Sequence, residues 1–281
     1  MAVLHQHLPV KVWMDPHGAR LPGIRPLPAD QWLQVDEAYA GQMAEKGRLI
    51  RTQVHRVHAL LPQALAAAQE LLNKVLADCP GVGFERRGAW VNCPDGRTVS
   101  PRMEAPLLSL GQMMQEDFCI LQPGSDGHHV LTGALLCFPA SWTLSEKIGR
   151  GLPGIHQPVA SYDPQVTRRV QRLFDAIRPD APLWRANALA YAQPDLFHPR
   201  PEADQRPPFS PEPGGPQGYL RAERQVLMRL PVTRAVVFAI RTYVAPRESL
   251  SETEETAFRA WQESHRSGPG SGPQTGQSVS N

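Results

Sequence analysis

The stretch YLRAERQVLMRLPVTRAVVFAIRTYVAP, residues 219–246, decides how this chain folds. It reads as two strands, YLRAERQVLMRL and AVVFAIRTYVA, separated by the turn Pro231-Val232-Thr233. A hairpin closed by a three-residue loop sets Leu230 opposite Arg234, which in turn sets Glu223 opposite Arg241 and Arg221 opposite Tyr243. Because alternate residues share a face, that register gathers Arg221, Glu223, Gln225, Arg241 and Tyr243 on one surface. Two readings of the surface follow. It is either a solvated sheet face laced with ion pairs, or a ligand-binding face, because Leu227, Val236, Phe238 and Ile240 flank it and a buried polar set of this size usually serves a ligand.

Working outward, FCILQ and HHVLTGALLCF form another strand pair across the turn Pro123 to Gly127. The second of these is nearly all apolar (Val130, Leu131, Ala134, Leu135, Leu136, Phe138), which predicts burial on both faces and a central place in the sheet. In APLWRANALAYAQ, Trp184, Ala186, Ala188 and Ala190 alternate with Arg185, Asn187, Leu189 and Tyr191, the period of a strand with one polar face. Helices are predicted in two Ala- and Leu-rich runs between Gln31 and Cys79, over Pro106 to Glu116, from Asp163 as N-cap to Pro179, and over Glu252 to Arg266. The segment Pro80 to Arg102, broken by Gly and Pro, reads as a linker with short strand pieces, and residues 194–217 as an exposed loop. The chain therefore divides into an extended, proline-punctuated arm over residues 1–30, one α+β domain over 31–265 and a disordered Gly/Ser/Pro tail over 266–281.

Composition narrows the function. A chain of 281 residues that is 41% hydrophobic can bury a sizeable core. Its 29 basic and 27 acidic residues are spread without long single-sign blocks, so no nucleic-acid footprint is visible. No apolar run approaches the roughly 20 residues of a membrane helix, and the N-terminus lacks a long apolar signal region, which leaves the cytoplasm as the expected compartment and no membrane partner. Cys79, Cys93, Cys119 and Cys137 form no close pair of the kind zinc sites use. Nucleotide-binding glycine loops, HExxH and GxSxG are absent.

The segment FPASWTLSEKIGRGLPGIHQPV, residues 138–159, concentrates aromatic and basic residues around a single imidazole, His156. On spacing alone His156 is an ordinary loop histidine. However, Gly151 and Gly154 before it permit close approach of a bulky planar ligand, Pro158 after it stiffens the backbone, and imidazole is a standard axial ligand of haem iron. Lys147 and Arg150 nearby are candidate partners for propionates.

The ordered series QEDFCILQ, LLCFPASWTLSEKIGRGLPGIHQPV, YLRAERQVLMRLP and AVVFAIRTYVAP resembles the haem-dependent oxidative N-demethylase family, alpha-subunit-like, from about Trp32 to about Trp261. The resemblance implies a PAS-like curved antiparallel sheet with flanking helices and an N-terminal helical extension. It also implies haem b held by His156 as the iron ligand, with Lys147, Arg150, Arg221 and Gln225 around the cofactor and Glu223, Arg224, Arg241 and Tyr243 at the distal, catalytic side. The implied reaction is O2-dependent removal of a methyl group from a small secondary amine such as dimethylamine, with release of formaldehyde. Glu223 is then the carboxylate for an ammonium substrate, and the electrons come from a separate NADPH, flavin and iron-sulfur partner, since nothing in this chain could hold those groups. Where the family strand carries Arg-x-Asn-Trp this chain has Arg185-Ala186-Asn187-Ala188, which predicts a pocket wall reduced from an aromatic ring to a methyl group. A haem-binding PAS-like sensor without turnover, and a haem-free scaffold of the same shape, are the alternatives.

Overall fold

The computed structural model describes residues 3–15, 23–156, 164–204 and 218–266, apart from the side chains of residues 156, 164–167 and 265–266. The hairpin forms its centre. Strands β9 (Tyr219–Arg229) and β10 (Val236–Pro246) pair antiparallel along their whole length, Val236 opposite Arg229 and Pro246 opposite Tyr219. The loop between them is one residue longer than expected. Leu230 N–H donates to the carbonyl of Ala235 (2.8 Å), and Arg234 takes a left-handed conformation with φ 61°. Sequence reading looks for Gly or Asn at such a position, so an arginine there gives no warning of it. The turn is clamped from outside by the Glu70 carboxylate, which accepts from Val232 N–H (2.7 Å), Thr233 N–H (2.8 Å) and the Thr233 hydroxyl (2.5 Å).

Around the hairpin lie β1 (Arg25–Pro26), β2 (His58–Leu60), β6 (Asp117–Pro123), β7 (His129–Leu135) and β8 (Leu183–Tyr191). The order is β1-β8-β9-β10-β6-β7-β2, with every pairing antiparallel. The apolar strand β7 is therefore not central. It lies next to the edge and is buried on both faces because helices cover it from both sides. A second, three-stranded sheet, β3 (Glu85–Arg87), β4 (Trp90–Asn92) and β5 (Thr98–Val99), occupies the Gly- and Pro-broken segment.

Two helical layers sandwich the large sheet. On one face lie α1 (Tyr39–Val57), α2 (Leu65–Asp78) and α3 (Pro106–Met113). The α2 stripe Ala67, Ala68, Leu71, Leu72 and Val75 repeats at helical spacing and packs into one core with Leu107 and Leu110 of α3 and with Phe118, Leu135, Met228 and Val237 of the sheet. Each such leucine or phenylalanine contributes about 1.5–3 kcal/mol by leaving water. Helix α3 ends earlier than its sequence predicts, because Met114 is already extended and leads into β6. The far end of the same face is closed by Leu8, Val12 and Trp13 of the N-terminal arm and by Phe258 of α7 (Glu252–Arg266), packed on Ala188, Ala190, Ala222 and Ala245.

The opposite face carries α4 (Leu144–Lys147), α5 (Leu152–His156) and α6 (Pro164–Ala176). Leu144, Leu152, Phe174 and Ile177 pack on Cys119, Leu131, Leu227 and Ile240. The Asp163 cap expected for α6 lies outside the described residues. Among the described residues no helix is long and apolar enough to cross a membrane.

Candidate functional site

The register decides which side chains meet. With Arg241 opposite Arg224, Thr242 opposite Glu223 and Val244 opposite Arg221, the hairpin is shifted by one residue from the expected pairing. Since side chains alternate, a shift of one sends the two strands' polar residues to different faces. The expected single cluster is thus corrected to two. Arg221, Glu223, Gln225 and Thr242 share the face against which α4–α6 pack, whereas Arg224, Arg241 and Tyr243 share the face beneath α1 and the N-terminal arm.

On the α1 face the polar groups fasten the chain to itself. Arg241, fully buried, pairs with Asp36 and donates to Gln42 Oε1 (2.5 Å). Tyr243 donates its hydroxyl to Gln34 Oε1 (2.5 Å), and burial pushes that phenol up to about 12, so it stays protonated. Arg224 donates to the carbonyls of Gln31 (2.5 Å) and Trp32 (3.4 Å). His5 Nε2 completes the cluster 3.1 Å from Asp36 Oδ2. A cavity of about 330 Å³ lined by Pro9, Leu33, Gln34, Asp36 and Tyr243 opens here, away from α5.

Asp36 has a measurable consequence. Burial raises its pKa, but the His5 hydrogen bond and the Arg241 charge outweigh that and hold the carboxyl well below the usual carboxylate range. A group with a depressed folded pKa stabilises the fold above its unfolded value, near 3.9, and loses that contribution as pH falls toward the folded one. Unfolding free energy should accordingly decline as pH drops below about 4, and Asp36→Asn should flatten that acid limb in denaturant titrations. An unchanged slope would remove Asp36 from the account.

On the α5 face the groups are aimed differently. Both oxygens of the Glu223 carboxylate are held, Oε1 by Arg221 (3.3 Å) and Oε2 by Gln225 (3.0 Å), and the residue is 6% exposed. Arg221 is in turn fixed by the carbonyls of Leu196 (2.9 Å) and Phe138 and lies 3.4 Å from the Thr242 hydroxyl. Strand β8 brings Asn187 opposite Glu223 and Arg185 opposite Gln225. Neither was given a role from sequence, although the alternation of Arg185 and Asn187 with alanines was visible; what was missing was their pairing with β9. One further layer out, Lys46 of α1 meets Asp117 at 2.9 Å with both fully buried, and Asp117 Oδ2 accepts the Phe138 N–H at 2.6 Å. This anchors the start of the segment that ends in α5.

Helix α5 ends at His156, whose side chain lies outside the described residues; its neighbours Leu152 and Ile155 pack in the core against Cys119, Leu131 and Ile240. Lys147 and Arg150 are engaged within the chain. Lys147 donates to the Ile155 carbonyl (2.5 Å) and pairs with Glu202, and Arg150 pairs with the same carboxylate at 3.1 Å. Both therefore already have a carboxylate partner, which they share. The expected loss of a pocket wall is corrected as well. Ala188 points to the face opposite Glu223, where the Trp13 and Phe258 rings, 4.8 Å apart, belong to the same buried cluster.

The residues of the α5 face suit a planar, largely apolar group that bears carboxylates. The Nε atoms of Arg185 and Arg221 are buried with no hydrogen-bond partner among the described residues, while Leu183, Leu227 and Ile240 supply apolar surface beside them. Among the described residues no group of three or more His, Cys, Asp or Glu could hold a metal ion. The family model described as haem-dependent oxidative N-demethylase, alpha subunit-like, matches residues 23–269.

Proposed function

This chain belongs to the haem-dependent oxidative N-demethylase, alpha subunit-like family, and from that premise we propose that it is an O2-using enzyme that removes a methyl group from a small secondary amine of the dimethylamine type and releases formaldehyde. The observation that carries the reading is Glu223, a buried carboxylate with both oxygens oriented, on the sheet face against which the His156-bearing helix packs. A bound haem b would supply the oxidising chemistry, with His156 as the residue that would hold its iron and the antiparallel sheet as a PAS-like scaffold.

The chain's own side chains then have distinct duties. Glu223 Oε atoms receive the N–H of an ammonium substrate and are placed to accept its proton. Arg221 donates to Oε1 at 3.3 Å and Gln225 to Oε2 at 3.0 Å, so the rotation of the carboxylate is fixed from both sides. Burial of this face excludes water and strengthens these interactions. Arg224, Arg241 and Tyr243, expected at the distal side, are left out of the reaction because their hydrogen bonds are committed on the other face. Electrons must come from a separate protein, taken here as an NADPH-, flavin- and iron-sulfur-bearing partner, which agrees with a family named for an alpha subunit.

Reconstitution with haem tests this directly. Wild type should develop a Soret band whose position shifts on titration with dimethylamine, and His156→Ala should bind haem with altered coordination or not at all. No Soret band in wild type, with His156→Ala behaving alike, would overturn the haem reading.

A further inference from the structure

Charge on the α5 face does not balance. Arg221 and Arg185 bring two guanidinium groups to it and Glu223 brings one carboxylate, which Arg221 and Gln225 already hold. Other charged groups named on this side of the sheet have partners nearby. Asp117 pairs with Lys46, Lys147 and Arg150 share Glu202, and Arg229, at the far end of the face, donates to the carbonyls of Phe174, Ile177 and Arg234. Arg185 stands apart from all of these. It is half-buried, its Nε is shielded from solvent, and it has no hydrogen-bond acceptor among the described residues. Burial works against its charge and the Glu223 carboxylate only partly offsets that. A guanidinium presents a planar fork of donors, and when it is taken out of water without an acceptor the usual reason is that a carboxylate or phosphate completes it. Phosphate is the weaker match, since a dianion would lie beside Glu223.

We propose that Arg185 is a carboxylate-binding residue of the site, which receives a carboxylate of the bound ligand beside Glu223. This rests on the haem reading above. A haem propionate is the expected source, because Lys147 and Arg150 are both already engaged by Glu202; a carboxylate carried by the amine substrate, as in an N-methyl amino acid, has the same chemistry.

The test compares wild type with Arg185→Gln and Arg185→Lys in two arms. In the first, the apo-protein is titrated with haemin and with haemin dimethyl ester, which lacks the carboxylates. Arg185→Gln should weaken haemin binding about tenfold and leave the ester unaffected, while Arg185→Lys should retain part of the preference. In the second, the haem-loaded proteins are titrated spectrally with dimethylamine and N-methylglycine. Selective loss of N-methylglycine binding in Arg185→Gln would assign the carboxylate to the substrate instead. The thermal midpoint of Arg185→Gln should equal or exceed that of wild type, because in the free chain the burial cost of the guanidinium is only partly offset by Glu223. Identical binding of all four ligands by wild type and Arg185→Gln would overturn the proposal while leaving the haem reading intact. Wild type without a Soret band would overturn both, and the missing band identifies that case.

Discussion

Glu223→Gln is expected to abolish amine turnover, by about 10²–10⁴-fold, while leaving the Soret band of the haem-loaded protein in place. The change is isosteric, so Arg221 can still donate to the remaining carbonyl oxygen. What disappears is the negative charge that an ammonium requires and the base that can take its proton. Tyr243→Phe provides the contrast. It deletes one hydroxyl on the other face of the same sheet, where the loss among the described residues is the bond to Gln34, and turnover should be unchanged. Single-turnover and steady-state rates with dimethylamine decide the matter. Turnover unaffected in Glu223→Gln would sink the amine assignment and favour a haem-binding sensor, which needs a pocket but no distal carboxylate.

Lys46→Met should produce the largest loss of stability. Lys46 Nζ lies 2.9 Å from Asp117 Oδ1 and 2.5 Å from the Glu116 carbonyl, with no exposed surface on the lysine. Removing the lysine leaves a buried carboxylate uncompensated, which costs about 3–5 kcal/mol. In a domain of this size that is roughly 6–20 °C in thermal midpoint, readable by calorimetry. Adding Asp117→Leu to Lys46→Met should recover only part of the loss. The double variant removes the stranded charge, but it also takes the acceptor from the Phe138 N–H, now buried without a partner, at about 1–3 kcal/mol. Full recovery would mean that Asp117 does not hold Phe138. Because Phe138 also offers its carbonyl to Arg221, the double variant should loosen the Glu223 site as well as the fold.

Much of the architecture was legible because it depends on local periodicity. The alternation in β8, the apolar run of β7 and the helical stripe of α2 each carry a repeat that only one type of element satisfies. Edge strand β2 was missed, since His58–Leu60 continues directly from the end of α1 and its identity depends on pairing with β7. The divided site was illegible for a comparable reason. Whether Glu223 meets Arg241 or Thr242 turns on one residue in the 231–234 loop, and that residue is set by a left-handed Arg234 and a distant Glu70.

What the sequence determined by itself is most of the long elements, the α+β class and the resemblance to a haem-dependent family, all of which rest on patterns within short stretches and on ordered motifs; the short helices α4 and α5, in a segment expected to be a loop, were not among them. Tertiary structure alone decided which polar residues share a face, that Lys147 and Arg150 are spent on Glu202, that Ala188 points away from the site, and that Arg185 stands without an acceptor among the described residues. Those outcomes follow from strand register and from partners far apart in the chain. A side-chain period of two makes a single-residue shift reverse every face, and no local signal in residues 219–246 records that choice.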